Sequence, residues 1–214
     1  MKRSSALASE PSQNRTLGSN LIPQLFERPR PDERLIVLDM GHPSSSTVNF
    51  FNQFKCRLTF LDLQGSEFLA AQPEDPSHEE LVAYFQQGLN LQPGVMVDVC
   101  LFWDLLSYLD GASVKAFIEA LDPHVDRYTR GYSLGLHNAR NQLPHCRYGL
   151  DTNTSLSQVP KSGTQPTVYP HNQRDLTKLL DYFEIDKSRL MSDGRIEYIM
   201  SENRGLRRAT PSIW

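Results

Sequence analysis

The chain has 214 residues, 39% of them hydrophobic, and its 22 Lys and Arg against 25 Asp and Glu give a formal net charge of −3. No run of about 18 apolar residues is present, so we expect no membrane-spanning helix. The basic amino terminus precedes no apolar stretch, so we expect no secretory signal. Cys56, Cys100 and Cys146 have no paired spacing, which argues against a disulfide framework or a zinc module and fits a reducing, cytoplasmic compartment.

The charges are unevenly distributed along the chain. Residues 1–34 carry a net charge of +2 and residues 203–214 carry +3, whereas residues 35–202 carry −8. An acidic body repels the phosphate backbone, so we expect no broad nucleic-acid binding by this part of the chain. The basic ends are either solvated tails or contacts for phosphate or an acidic partner.

Composition divides the chain into three parts. Residues 1–20 are rich in Ser, Asn and Gln and show no apolar period, which predicts a flexible N-terminal tail over 1–33. Within this tail, residues 21–26 are apolar enough to form a short docking turn before two prolines. A domain over 34–202 follows, and residues 203–214 form a basic C-terminal tail.

From residue 35 onwards, short apolar runs alternate with segments of helical period. The apolar runs predict strands over 35–38, 57–63, 95–102 and 128–136. The periodic segments predict helices over 44–54, 77–89, 112–121 and 173–183. Residues 183–201 predict a β-hairpin, because Asp193-Gly194 is a strong turn signal.

This alternation predicts an α/β fold with a doubly wound, mostly parallel sheet and a C-terminal β-hairpin. In such sheets ligands bind at the carboxyl ends of the strands, near the point where the strand order reverses. A binding site is therefore expected among residues 39–46, 62–66 and 102–104. Residues 138–170 lack periodicity, and a stretch of that length is often a lid or a binding loop.

Three segments resemble the motifs of class I S-adenosylmethionine-dependent methyltransferases. LIVLDMGHPSSSTVNFF at 35–51 resembles the first motif, which is an apolar strand, an acidic residue and a glycine-rich turn into a helix. LTFLDL at 58–63 resembles the strand that ends in an acid, and VMVDVCLFWDLLSYLD at 95–110 resembles the fourth strand and its loop. The closing helix and hairpin at 171–201 also match. The resemblance implies a Rossmann-like fold and S-adenosylmethionine as the cofactor.

The glycine-rich motif is degenerate in this chain. The family uses glycines so that the backbone can approach the cofactor and adopt dihedral angles closed to other residues. Gly41 remains, but Pro43 and Ser45 stand where the second and third glycines would be. Proline fixes φ and removes an N–H, so the turn is expected to take another path.

The resemblance also implies cofactor-binding roles, for Asp39, Gly41, Asp62, Trp103 and Asp104. Asp39 would organise the methionine amine, or it would cap the turn by accepting backbone N–H groups. Asp62 would accept hydrogen bonds from the ribose hydroxyls, or it would be a solvated acid at a strand end. Trp103 would cover the cofactor beside Asp104, or it would pack the sheet against the next helix. No segment within residues 64–76 resembles the third strand of the family.

Methyl transfer demands little beyond holding the donor and the nucleophile in line, sometimes with a base. His137 and His171 are the candidate bases, although the catalytic residues stay unassigned. His145 and Cys146 form no recognised zinc spacing with His137, so no metal site is predicted.

Three hypotheses for the function stay open. In the first, the chain is a methyltransferase-like pseudoenzyme, a non-catalytic interaction or binding module that takes a protein partner through its basic tails or loop 138–170. In the second, it is an active methyltransferase for a small molecule or a protein, with a nonstandard cofactor loop. In the third, it binds another nucleotide or metabolite in the same crevice. Binding of S-adenosylmethionine separates the first two.

Overall fold

The computed structural model describes residues 14–27, 30, 34–138 and 140–203. Residues 1–13 of the N-terminal tail and residues 204–214 of the basic C-terminal tail lie outside the described residues. The strands are β1 (Arg15–Gly18), β2 (Leu35–Asp39), β3 (Cys56–Phe60), β4 (Val99–Trp103), β5 (Arg130–Leu136), β6 (Cys146–Thr152), β7 (Ser155–Pro160), β8 (Phe183–Leu190) and β9 (Arg195–Glu202). The helices are α1 (Ser45–Phe51), α2 (Ser66–Ala70), α3 (His78–Leu89), α4 (Gly111–Leu121) and α5 (Gln173–Leu179).

The main sheet has six strands in the order β3-β2-β4-β5-β9-β8. The pairs β2–β3, β2–β4 and β4–β5 are parallel, whereas β9 is antiparallel to both of its neighbours. The predicted α/β fold, with a doubly wound, mostly parallel sheet and a C-terminal β-hairpin, is therefore confirmed. The turn of this hairpin contains Gly194 at φ +83°, a left-handed conformation that glycine adopts without strain.

Alternation along β4 divides the core between the two faces of the sheet. Cys100 and Phe102 lie in the cluster that α3, α4 and α5 cover, whereas Val99, Leu101 and Trp103 lie in the cluster on the other face. All five side chains are completely buried. This near-continuous apolar run is what a parallel strand covered on both faces requires.

Helices α3, α4 and α5 begin at side-chain caps that the sequence encodes. The Ser77 hydroxyl accepts a hydrogen bond from the Glu80 N–H at 3.2 Å, and the Glu80 carboxylate accepts one from the Ser77 N–H at 2.8 Å. This reciprocal capping box starts α3 at the predicted place. Asp110 caps α4 with a single hydrogen bond, by accepting the Ser113 N–H at 2.8 Å. None of the helices in the described ranges has the length and apolarity needed to cross a membrane.

The structure differs from the expectations in three places. Strand β1 lies within the segment expected to be a flexible tail, and it pairs with β7. Loop 138–170 contains the hairpin of β6 and β7, so that β1, β7 and β6 form a second sheet. Residues 64–76 hold α2 and turns, and β3 is the edge of the main sheet, so no strand of the described chain takes the place of the family's third strand.

Candidate functional site

The topological switch point of the main sheet lies between β2 and β4. Strand β3 follows β2 on one side, whereas β4 and β5 continue on the other. Loops that leave neighbouring strands in opposite directions open a crevice at their carboxyl ends, and ligands of doubly wound sheets bind there. Asp39 ends β2 and Trp103 ends β4, so two of the predicted site residues flank this point.

The Trp103 indole covers the turn that contains Gly41. Its Nε1 donates a 2.6 Å hydrogen bond to Asp39 Oδ1, which also accepts the Gly41 N–H at 2.8 Å. A Cβ atom added to Gly41 would lie 2.8 Å from the indole Cδ1, so the ring lies directly against the glycine. The close approach that the family reserves for its cofactor is thus made here by Trp103.

Strand β4 ends irregularly at this tryptophan. Its φ is +51°, and the register between β4 and β5 shifts between Leu101 and Trp103. A bulky residue at positive φ is a genuine outlier that the surrounding contacts must stabilise. Those contacts include the Asp39 hydrogen bond and a stacked arrangement with Tyr148, whose ring centroid lies 5.7 Å away at an interplanar angle of 19°.

Asp39 is buried, and no cation in the described part of the chain forms an ion pair with it. Its exposure is 0%, and desolvation raises its pKa to about 7, although the hydrogen bonds from Trp103 and Gly41 act in the opposite direction. Its second oxygen, Oδ2, has no hydrogen-bond partner in the described part of the chain. The carboxyl therefore serves as the acceptor that fixes the indole and the turn. This is the capping alternative from the sequence, with Trp103 as an additional donor.

Asp104 lies at the centre of a buried polar network. Its carboxylate accepts hydrogen bonds from Gln64 Nε2 at 2.7 Å and from the Tyr148 hydroxyl at 3.1 Å. Burial raises its pKa to about 7, whereas the Tyr148 hydrogen bond and the charge of Arg195 lower it. Arg195 in turn donates to the Tyr148 hydroxyl at 2.8 Å. The network fixes the Tyr148 ring against Trp103.

Arg195 joins the second sheet to the C-terminal hairpin. It is 1% exposed and donates to Gln158 Oε1 at 2.7 Å and to Asp193 Oδ2 at 2.6 Å. A buried guanidinium is costly unless its donors are matched in this way. The hairpin of β6 and β7 is therefore anchored beside the crevice by a charged, almost solvent-free contact.

The same hairpin covers the beginning of α1. The Leu150 N–H donates to Thr47 Oγ1 at 3.1 Å, and the hydroxyls of Ser46 and Ser157 lie 2.9 Å apart. A Cβ atom on Gly149 would overlap the Ser46 hydroxyl, so β6 lies in close contact with the helix. Thus the segment expected to be a lid or binding loop is packed over the degenerate glycine turn.

Asp62 lies at the outer end of the crevice. It has φ +47° and its Oδ2 is 3.1 Å from His42 Nδ1, in a contact that is partly exposed on both sides. The two residues line a recess of about 10 Å³, together with Gln64, Tyr108, His145, Cys146, Arg147, Lys161 and Pro166. Such a volume holds about one water molecule.

The remaining histidine candidates do not converge on the crevice. His171 Nε2 lies 2.8 Å from the carbonyl oxygen of Leu109, and His137 is exposed after β5. His145 lines the recess, but within the described ranges no three His, Cys, Asp or Glu side chains are placed to hold a metal ion.

Sequence reasoning missed Tyr148, Arg195 and Gln64, which complete the filled crevice. A signal for Tyr148 is present, since Cys146, Tyr148 and Leu150 alternate with more polar residues, as in a half-buried strand. No local signal identifies Gln64 or Arg195 as partners of Asp104, because these contacts join residues 40 or more positions apart.

No protein-family model matches the sequence, and no curated protein matches it significantly. Solved structures align with the fold. They include the pyocyanin biosynthetic protein PhzM, at 12% identity over 86% of this chain and 53% of that chain, with a TM-score of 0.47. This chain thus spans about half the length of PhzM.

Two further structures were solved with S-adenosylhomocysteine or S-adenosylmethionine. The Burkholderia thailandensis 1,6-didemethyltoxoflavin-N1-methyltransferase, with bound S-adenosylhomocysteine, aligns at 14% identity over 86% of this chain and 75% of that chain, with a TM-score of 0.47. The glycopeptide N-methyltransferase MtfA, complexed with S-adenosylmethionine, aligns at 12% identity over 86% of this chain and 95% of that chain, with a TM-score of 0.45.

At such identities and TM-scores, these alignments carry no weight for a cofactor or an activity. The fold assignment depends instead on the strand order, the switch point between β2 and β4, and the antiparallel β9 inserted between β5 and β8. These features give the chain the Rossmann-like fold of class I S-adenosylmethionine-dependent methyltransferases.

Proposed function

We propose that the chain is a methyltransferase-like pseudoenzyme, a non-catalytic interaction or binding module with a crevice closed by its own side chains. The observation that supports this most directly is the Trp103 indole, which lies against Gly41 and is hydrogen-bonded to Asp39. The cofactor of the family would need this space. The residues of the crevice therefore do not fit S-adenosylmethionine in its usual pose.

The size of the remaining space supports the same proposal. Sites for small molecules and cofactors usually enclose about 300–1,000 Å³, whereas the recess beside Asp62 measures about 10 Å³. A cofactor in the usual pose of the family would have to displace both Trp103 and the Tyr148 ring stacked on it.

Opening the crevice would be costly. Removing a buried tryptophan from its packing costs about 3–5 kcal/mol, and the hydrogen bond to Asp39 would be lost as well. A ligand that binds only the opened state has an apparent affinity reduced by the fraction of molecules that are open. This cost corresponds to a reduction of about 10²- to 10⁴-fold.

The position of a partner site follows from the sequence expectations. The basic tails and loop 138–170 are the proposed contacts for a protein partner. In the described part of that loop, Val159 and Tyr169 are 38% and 39% exposed, which is high for such apolar side chains. Neither residue is needed to close the crevice.

Titration of the purified chain with S-adenosylmethionine and S-adenosylhomocysteine tests the proposal. We expect no calorimetric signal and no thermal shift at millimolar ligand, while an authentic methyltransferase in the same buffers gives both. Binding at 100 times Kd would stabilise the fold by about 2.7 kcal/mol, which a thermal scan detects easily.

The opposite result would favour the active enzyme. Saturable binding of both compounds, weakened by Asp62→Ala, would assign the ribose role to Asp62 and overturn the proposal. The double variant Pro43→Gly, Ser45→Gly separates two causes of non-binding. Because Trp103 and Tyr148 close the crevice, restoring both glycines is expected to produce no gain in affinity.

A further inference from the structure

The recess beside Asp62 is surrounded by an unusual number of basic side chains. Its wall contains two cationic side chains, Arg147 and Lys161, and two imidazoles, His42 and His145. Among the described residues that line it, the only carboxylate is that of Asp62, which is already in contact with His42. In a body that carries a charge of −8 over residues 35–202, such a cluster creates a local field for anions.

Two elements of the fold bring these groups together. At the open end of the β6–β7 hairpin, the Lys161 N–H donates to the His145 carbonyl at 2.8 Å, so the two residues are cross-strand neighbours. His42 and Asp62 follow the carboxyl ends of β2 and β3. The recess therefore lies where a doubly wound sheet binds its ligands, outside the part filled by Trp103.

Several of these groups have hydrogen-bonding capacity left over. His145 Nε2 is buried and has no partner among the described residues. The ammonium group of Lys161 contacts the Gln64 carbonyl at 3.3 Å, and neither Lys161 nor Arg147 forms an ion pair in the described part of the chain. Burial and the charge of Lys161 lower the pKa of His145. An oxyanion in the recess would accept hydrogen bonds from donors of this kind.

A larger cavity lies beside the recess. It measures about 440 Å³ and shares two wall residues, Tyr108 and Pro166, with the recess. Tyr169 and Leu69 give it apolar walls, whereas its described lining contains a single carboxylate, Asp110, and no Lys, Arg or His. Such a cavity suits an uncharged aromatic or polar group.

We propose that the recess and this cavity together bind a phosphate monoester. The recess has room for about one oxygen atom. A phosphoryl oxygen bound there would lie beside His145 and Lys161, which line the recess. The uncharged body of the ligand lies against Tyr108 and Tyr169 in the cavity. This inference goes beyond the proposed function, because it assigns a ligand and does not depend on the response to S-adenosylmethionine.

Three probes at constant ionic strength test the two halves of the site. We expect inorganic phosphate to bind weakly and phenyl phosphate to bind about tenfold more tightly, since its ring buries apolar area in the cavity. Phenol, which lacks the anion, is expected to bind more weakly than either. Calorimetry and phosphorus NMR line broadening measure the three affinities.

Variants assign the contacts. Lys161→Gln is expected to weaken both phosphate compounds about tenfold, whereas Tyr169→Ala weakens phenyl phosphate alone. Lys187→Gln, an exposed position on β8, is the matched charge control and leaves all affinities unchanged. Arg147→Gln provides a second variant that removes a cation, should Lys161→Gln fail to fold.

Two results would overturn the inference. The recess is not an anion site if neither phosphate compound gives saturable binding at tens of millimolar. The same conclusion follows if Lys161→Gln and Arg147→Gln both bind the phosphate compounds as the parent chain does. If phenyl phosphate binds no better than inorganic phosphate, the monoester assignment is wrong. None of these outcomes changes the S-adenosylmethionine titration, so a failure here is distinct from a failure of the proposed function.

Discussion

Trp103 Nε1 and Asp39 Oδ1 lie 2.6 Å apart and join the carboxyl ends of two neighbouring parallel strands, β4 and β2. This hydrogen bond spans the switch point, where doubly wound sheets hold their ligands. Because both groups are buried, each stabilises the position of the other. The contact therefore connects the strand ends on the two sides of the switch point.

Trp103→Phe tests this hydrogen bond. Phenylalanine keeps most of the packing but leaves Asp39 Oδ1 with the Gly41 N–H alone, so the free energy of unfolding is expected to fall by about 1–3 kcal/mol. Since the bond favours the ionised carboxylate, its loss raises the pKa of Asp39 further. Urea denaturation should therefore show a larger loss at pH 8 than at pH 5. An equal loss at both values would contradict the role of Asp39 as the acceptor.

The buried carboxyls also predict how stability depends on pH. Burial raises the pKa of Asp39 and of Asp104 to about 7, from the ordinary aspartate value of 3.8. Between about pH 4 and pH 7 the folded chain therefore holds protons that the unfolded chain has released. The contribution of these two carboxyls to the free energy of unfolding is therefore fully present below this pH window. It is lost as the pH rises through the window.

Asp39→Asn should reduce this pH dependence. Asparagine keeps an acceptor for Trp103 and Gly41 but has no proton to release, so the fall in stability between pH 4 and pH 7 should become shallower. At about 1.4 kcal/mol for each pKa unit, the difference between the ends of the window is at most about 4 kcal/mol. Glu67→Gln, at an exposed carboxylate, is the matched control. An unchanged slope in Asp39→Asn would show that Asp39 ionises normally.

Much of the fold could be predicted from the sequence because its elements are locally encoded. Three examples are the buried run of β4, the capping box at Ser77 and the Asp193-Gly194 turn. Each of these features involves only residues that are close together in the sequence. The strand-end positions of Asp39 and Trp103 followed from the same local pattern. Their mutual contact did not, since a register between strands and a positive φ at Trp103 are needed to bring the two side chains together.

The filled crevice could not be predicted, because its contacts are long-range. Strand β1 has only four residues, and it is stabilised by pairing with β7, some 140 positions away. Tyr148 acquires its role from Trp103, 45 positions earlier, and from Arg195, 47 positions later. A single sequence does not reveal such pairs. The presence of Pro43 and Ser45 in place of two glycines indicates only that the turn is altered.

The variant Gly149→Ala tests whether the β6–β7 hairpin must lie close to α1. A methyl group there would overlap the hydroxyls of Ser44 and Ser46, so Gly149→Ala is expected to cost about 1–3 kcal/mol of stability. Gly18→Ala is the matched control, because nothing lies within 4 Å of its added Cβ, and it should change stability by less than about 0.5 kcal/mol. Thermal denaturation compares the two variants. Equal stabilities would mean that the hairpin can separate from the helix at little cost.

Ser19 connects the N-terminal segment to the buried centre of the main sheet. Its hydroxyl donates to Glu197 Oε2 at 2.5 Å, and the same carboxylate oxygen accepts the Tyr132 hydroxyl at 3.0 Å. Ser19→Ala leaves this fully buried carboxylate with one donor fewer, so we expect a loss of about 1–3 kcal/mol and faster proteolysis within residues 14–26. Ser155→Ala, at a partly exposed hydroxyl of β7, is the control. If both variants resisted proteolysis equally, the attachment of this segment would depend on apolar packing around Ile22 and not on the buried carboxylate.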